Sequence, residues 1–325
     1  MPSPTTNRLI NSRNALTPSL DFNFSSGVLP RGIVCSRSSS ATYFDSTGTL
    51  QTASSNVARI DYNPNTLECL GFLIEGSATN YLLNSDAPAT QTTGSLATGT
   101  YTLWIAGTGS ATSSAGTATG SGFGTATNGS PNTFTLTEAG TVVVTVSGSP
   151  TRFQLENNPL VSSYIPTTGT TATRSADNVT YPLGAWFNGM QGSIVVTASV
   201  EGFVTSTWIF SLNVTSANGF GLFYNSNQSE LGVSGAGDSS VSFTVNTNTF
   251  YTSACSYNTY VTRSLLTTTG LVGNVGNQLV ALPSINVLTL GNRGNSTRYL
   301  NGHLKKFTYY PVELPVSTLR ILSGQ

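Results

Sequence analysis

The chain has 325 residues, enough for more than one packed core. Only 8% are charged, against ~25% in an ordinary globular protein. Thirteen Lys and Arg balance thirteen Asp and Glu, and the two lysines, Lys305 and Lys306, form one adjacent pair, so no basic face for nucleic acid is expected.

A charge-poor, neutral surface favours association with neighbouring subunits. No run reaches the ~18 apolar residues of a membrane span, so no membrane insertion is expected. The N-terminal Met-Pro-Ser-Pro-Thr-Thr-Asn-Arg has no apolar core of the signal-peptide kind. Ser, Thr, Asn and Gly dominate, a mixture poor for helices and suited to strands and turns. With 38% hydrophobic and 10% aromatic residues the chain is too apolar for disorder.

In chain order, residues 1–86 mix Arg, Asp and aromatics with little alternation. They are expected to be an irregular segment that anchors the protein in an assembly. Residues 87–176 hold strands near Tyr101–Ile105, Thr133–Leu136 and Thr141–Val146, around a Gly/Ser/Thr stretch from Gly107 to Ser130 read as hairpins of small residues. This region is expected to form a small β-sandwich. A Thr-rich seam at Pro166–Asp177 reads as a linker or crossover strand. In residues 177–325, Ile194, Val196, Ala198 and Val200 share one strand face, as do Val241, Phe243 and Val245. Thr207-Trp208-Ile209-Phe210 reads as a core strand. Asn-Gly pairs at 128–129, 188–189, 218–219 and 301–302 are turn signals. Helical patterns are nearly absent, and the best helix candidate is Pro315–Leu322, with Pro near its start and Leu319 and Leu322 on one face. The fold class is therefore all-β: an irregular N-terminal segment followed by two β-sandwich (jelly-roll, concanavalin A-like) domains.

Nothing in the residue pattern resembles an active site. His303 is the only histidine, and no G-x-S-x-G elbow accompanies it; it reads as a packing or surface residue. No two acids stand two residues apart, as the strand-borne carboxylates of jelly-roll glycosidases do, so a hydrolase is the distant alternative. Gly237-Asp238-Ser239 and Asp177-Asn178 offer one acid each to calcium, where a site usually clusters several oxygens, so no metal residue is assigned. Cys35, Cys69 and Cys255 have no C-x-x-C spacing and are expected to be free, buried thiols. No catalytic, cofactor or metal residues are assigned. Carbohydrate binding is the stronger functional alternative, because sugars stack on aromatic faces. Trp104, Trp186, Trp208, Tyr224, Tyr257 and Tyr260 are weighed for that role, against the general rule that large aromatics pack in cores. The candidate glycan residues are Trp186, Tyr224, Tyr257 and Tyr260. Arg59 and Asp61, like Arg174 and Asp177, are expected to be ion pairs inside the fold.

One resemblance accompanies this reading. Thr42-Tyr43-Phe44-Asp45 is followed by Ala58-Arg59-Ile60-Asp61-Tyr62-Asn63-Pro64, then Leu70-Gly71-Phe72-Leu73-Ile74-Glu75 and Ala78-Thr79-Asn80-Tyr81-Leu82-Leu83. This resembles a block of phage and prophage structural proteins, with Ser38 after Arg37 where Ala is usual and Tyr81 where Leu is usual. Phe153-Gln154-Leu155-Glu156, Ser163-Tyr164-Ile165-Pro166-Thr167 and Thr173-Arg174-Ser175-Ala176-Asp177 resemble a second signature of the same proteins, which closes a sandwich like a carbohydrate-binding module. Leu300–Pro311 resembles the last strand of a concanavalin A-like or laminin G-like domain. The resemblance implies a non-enzymatic virion protein (head decoration, neck, or tail fibre component), assembled in the bacterial cytoplasm. Its implied partners are other virion proteins and copies of itself, as a trimer. The second reading is an adhesin that recognises host-surface glycans.

Overall fold

The computed structural model describes residues 17–203, 207–215, 218–225, 228–233, 239–242, 245–258, 263–267, 272–275, 285–294 and 298–324. Nearly all of its regular structure is strand, as the composition predicts. Among the described residues the α-helix is Val316–Leu322. It buries Leu319 against Val195, Ala254, Tyr310 and Leu314, and so caps the outer face of a sheet.

The larger unit is a sandwich of two antiparallel sheets. The first runs in the order Val272–Val275, Arg263–Thr267, Tyr251–Asn258, Gln191–Val200, Gly302–Tyr310, Cys69–Ile74 and Ile60–Tyr62, with Leu20–Asn23 also paired to Gly302–Tyr310. The second runs Val34–Ser36, Asn178–Pro182, Val287–Leu290, Thr207–Thr215, Asn218–Asn225, Gln228–Val233 and Ser239–Ser242. Ile194, Val196, Ala198 and Val200 face the core between the sheets, as their alternation requires, and meet Phe210, Leu212, Phe220, Leu222, Leu288 and Leu290 there. Trp208 turns to the opposite face and stacks on Phe223 with ring centroids 4.9 Å apart. Val241 and Phe243 lie outside the residues whose side chains are described; Val245 is in the core.

The smaller unit is one continuous sheet, in the order Thr119–Ser121, Asn132–Glu138, Gly99–Ala115, Val142–Glu156, Ala78–Asn80 and Ala172–Arg174. Thr125–Thr127 and Gln91–Thr92 pair beside that path. Its two long strands pair along almost their whole length, with a register shift between Pro150 and Arg152. Leu103, Ile105 and Ala111 from one, with Val142, Val144, Phe153 and Leu155 from the other, share a single core. The two halves of each strand therefore fold over one another. Gly107 and Gly109 sit at the fold with φ of +91° and +123°, values that side-chain-bearing residues rarely adopt. The Gly/Ser/Thr stretch supplies the end of strand Gly99–Ala115 and the short strands Thr119–Ser121 and Thr125–Thr127, joined by turns, with Ala111, Ser113, Ala118 and Ala126 buried.

The expected boundaries at 86/87 and 176/177 do not follow the sheets. Residues 17–75 are not a separate anchoring segment. Phe22, Phe24, Phe72 and Ile74 belong to the core of the larger sandwich, and Val34–Ser36 pairs with Asn178–Pro182. The smaller unit, spanning residues 78–174, is an insertion whose two ends meet where Asp177 N donates to Glu75 O at 2.9 Å. The physical reason for the missed strands is double burial. In Cys69–Ile74 the last four residues are buried on both faces, so no polar residue marks a period of two.

Candidate functional site

The join between the two units is a buried charge cluster. Arg37, Arg59 and Arg174 are each 2% exposed or less. Arg59 precedes strand Ile60–Tyr62, and Arg174 ends strand Ala172–Arg174. Asp177 Oδ1 accepts from Arg37 Nη1 at 2.7 Å, and its Oδ2 accepts from Arg59 Nη2 at 2.5 Å and from Glu75 N at 3.0 Å. Glu75 pairs with Arg59 at 2.8 Å and with Arg174 at 3.5 Å, and accepts from both Ser163 N and Ser163 Oγ. The expected ion pairing inside the fold is present, with different partners from those suggested by sequence proximity. Asp61 instead holds His303 Nε2 at 2.9 Å and Phe44 N at 2.7 Å, which makes His303 a packing residue, 6% exposed.

Two carboxyls in this region titrate in opposite directions. Burial pushes Glu156 up to about 7, against the opposing hydrogen bonds from Ser162 and Gln154 and the charge of Arg174. Burial also acts to raise Glu75, but Arg174, Arg59 and Ser163 outweigh it and hold the group down at about 2. In the unfolded chain both return to about 4.5. Folded Glu156 keeps its proton where the unfolded chain has lost it, so its contribution is full below pH 4.5 and is lost as pH rises through 7. The loss is about 3 kcal/mol. Folded Glu75 contributes above pH 4.5 and loses that contribution as pH falls toward 2. Maximum stability is therefore expected near pH 5. Urea unfolding at pH 5 and pH 8 should show the lower midpoint at pH 8, and Glu156→Gln should flatten that fall.

Two clefts flank the segment 157–161 where the units face each other. One, of about 500 Å³, is lined by Thr102, Trp104, Thr127, Thr133, Glu201 and Asn248, among others. Period-two alternation explains its floor: Tyr101, Leu103 and Ile105 enter the core of the smaller unit, while Thr102 and Trp104 emerge toward the larger one. Trp104 is half-buried and meets the edge of Tyr164. Glu201 follows strand Gln191–Val200 and is fixed by Glu201 N donating to Asn301 O; Asn248 N donates to Val200 O. Burial, together with the carboxylates of Glu75, Asp61 and Glu156, raises Glu201 well above the usual carboxylate range. A protonated Glu201 can donate as well as accept a hydrogen bond. The second cleft, of about 570 Å³, is lined by Thr100, Asn157, Asn158, Thr207, Tyr299 and Asn301, among others.

The candidate glycan residues lie elsewhere. Tyr224 is fully buried, with its hydroxyl hydrogen-bonded to Ser253 Oγ at 3.0 Å. Tyr257 is 3% exposed, donates to Asn188 O at 2.7 Å and packs against Phe220. Neither presents a ring face to a sugar, because core packing consumes both faces. Trp186 is half-buried among Tyr181, Phe187 and Tyr309, and its indole N–H donates to Pro182 O. Tyr260 lies outside the described residues. Glu201 and Asn248 were not singled out in the sequence. They are 47 residues apart and join Thr102 and Trp104 only through tertiary packing.

Among the described residues no group of three His, Cys, Asp or Glu could hold a metal, and no helix is long and apolar enough to cross a membrane. Cys35 and Cys255 are buried free thiols, and Cys69 is half-buried.

No protein-family model and no curated protein sequence matches the chain. Solved structures do. Domain 4 of an extracellular arabinanase from Geobacillus stearothermophilus, in complex with arabinotriose, matches at 15% identity and a TM-score of 0.40, over 52% of this chain and 84% of that one. The carbohydrate-binding module of the Ruminococcus gnavus IT-sialidase, bound to α2,3-sialyllactose, matches at 16% identity and 0.37, over 42% and 83%. The binding domain of botulinum neurotoxin DC matches at 12% identity and 0.36, over 46% of this chain and 40% of its own length. Likeness at this level does not superpose the clefts, so no residue role is carried over from these proteins.

Proposed function

We propose that the protein is a non-catalytic carbohydrate-binding protein that takes a sugar in the cleft between Trp104 and Glu201. One observation carries the reading: a cleft of about 500 Å³ combines an aromatic wall with three threonines, an amide and a carboxyl. That volume lies within the range ligand pockets occupy, and a few convergent polar groups on a partly aromatic lining are what such pockets use to orient a ligand. An indole supplies a flat apolar surface for the C–H face of a sugar, while the hydroxyl, amide and carboxyl groups answer its hydroxyls. Among the described residues Glu201 is the one carboxyl lining this cleft, whereas glycoside hydrolysis uses a pair. This supports binding without turnover. A glycan array probed with the full chain is the test, paired with Trp104→Ala. Binding by the native protein that falls at least tenfold in the variant supports the reading. No binding at high protein concentration, or binding indifferent to the variant, overturns it.

Location in a virion is a separate proposal, carried by the residue resemblance alone. The residues behind that resemblance include Arg59, Glu75, Arg174 and Asp177, which the fold spends on its buried charge cluster. Their presence is explained by architecture, whatever particle or surface the protein occupies. Mass spectrometry of purified particles should find the chain at fixed stoichiometry. Its absence from them would end the virion proposal and leave the carbohydrate-binding one standing.

A further inference from the structure

We propose that a small cavity beside Arg174 is a binding site for a monovalent anion of about chloride size. The cavity, about 60 Å³, is lined by Ala41, Thr42, Thr52, Ile165, Thr173 and Arg174, with neighbouring residues of the same strands. Arg174 is 2% exposed, yet neither its Nε nor its Nη1 has a hydrogen-bond partner in the protein. Glu75 Oε2 stands 3.5 Å from Nε, near enough to attract but outside a good hydrogen bond. A buried charged donor left without an acceptor carries its full desolvation penalty, so this position calls for a partner.

Charge counting selects the kind of partner. Arg37, Arg59 and Arg174 bring three buried positive charges, and Asp177 and Glu75 answer two of them. Glu75 is shared between Arg59 and Arg174, Asp61 lies on His303 and the Phe44 amide, and Glu156, pushed up by burial, carries less than a full charge at neutral pH. Arg174 therefore has no carboxylate of its own beside a cavity of about 60 Å³. A water would satisfy an N–H but leave the charge. A halide satisfies both, and of the lining threonines Thr52 is the one whose hydroxyl is not already bonded as those of Thr42 and Thr173 are.

Crystals of the full chain soaked in sodium bromide provide the direct test. An anomalous peak within hydrogen-bond distance of Arg174 Nη1 is expected; density there without anomalous signal, meaning water only, overturns the proposal. In solution, the thermal unfolding midpoint should rise saturably with sodium chloride and not with sodium gluconate of equal ionic strength. Equal responses to the two salts overturn it as well. Arg174→Gln should abolish the difference between the salts. Should that variant fail to fold, the bromide and gluconate results on the native chain still decide the matter.

Discussion

Asp177→Ala is expected to be the most damaging single substitution in the chain. One carboxylate holds Arg37 and Arg59 and caps the Glu75 amide, and all three side chains are about 1% exposed or less. Removing it strands two guanidiniums in a medium where neither can be solvated. Breaking a buried pair costs ~3–5 kcal/mol, because the remaining charge pays for desolvation without compensation. Set against a total stability of ~5–15 kcal/mol, that loss is a large share of the whole. Asp177→Asn keeps the shape and some of the hydrogen bonds and should cost less. Urea unfolding followed by tryptophan fluorescence orders the three proteins: native, then Asn, then Ala. An Ala variant within 1 kcal/mol of the native protein would mean that the charge cluster does not hold the two units together.

The second large effect concerns residues 17–75. A fragment of residues 177–325 is expected to remain unfolded on its own. It lacks strands Leu20–Asn23 and Cys69–Ile74, which flank Gly302–Tyr310, and the side chains of Leu20, Phe22, Phe24, Phe72 and Ile74, which fill the core of the larger sandwich. Burying one such side chain contributes ~1.5–3 kcal/mol, so five amount to ~10 kcal/mol, comparable with the stability of the whole domain. Near-ultraviolet circular dichroism of the fragment should show no fixed aromatic signal, and adding residues 17–76 back in trans or through a linker should restore it. A fragment with native-like near-ultraviolet signal and cooperative unfolding would place the core elsewhere.

Strands whose second face carries Ser and Thr were the legible ones. In Ile194–Val200 the alternation comes from Ile194, Val196, Ala198 and Val200 meeting the core with Thr197 and Ser199 on the other face, although that face too is largely covered. The short helix announced itself by Pro315 and the spacing of Leu319 and Leu322. Strands with no polar face escaped, Cys69–Ile74 above all. So did the insertion of one unit within the other, since the pairing of Leu20–Asn23 with Gly302–Tyr310 spans nearly the whole chain and leaves no local signal. Charge was legible in part. The expectation that Arg59, Arg174, Asp61 and Asp177 are internal was correct in kind, because buried ionic groups must be paired. Their partners were not legible, since Arg59 reaches Asp177 across 118 positions.

The candidate site was the least legible feature. Aromatics chosen from a local Asn- and Tyr-rich setting, Tyr224 and Tyr257, turned out to have hydroxyls bonded to Ser253 and Asn188 deep in the sandwich. The aromatic with a cleft in front of it, Trp104, differs from them only in which side of its strand it occupies and in what the larger unit places opposite. Its neighbours Glu201 and Asn248 come from the far side of the join.

The most direct measurement of the central claim is a crystal structure of the full chain with the best ligand from the glycan array. Density for a sugar ring against Trp104, within hydrogen-bond distance of Glu201 or Asn248, is the predicted result. A sugar seated elsewhere, on the Tyr299 cleft or on an outer sheet face, with the Trp104 cleft filled only by solvent, would contradict it.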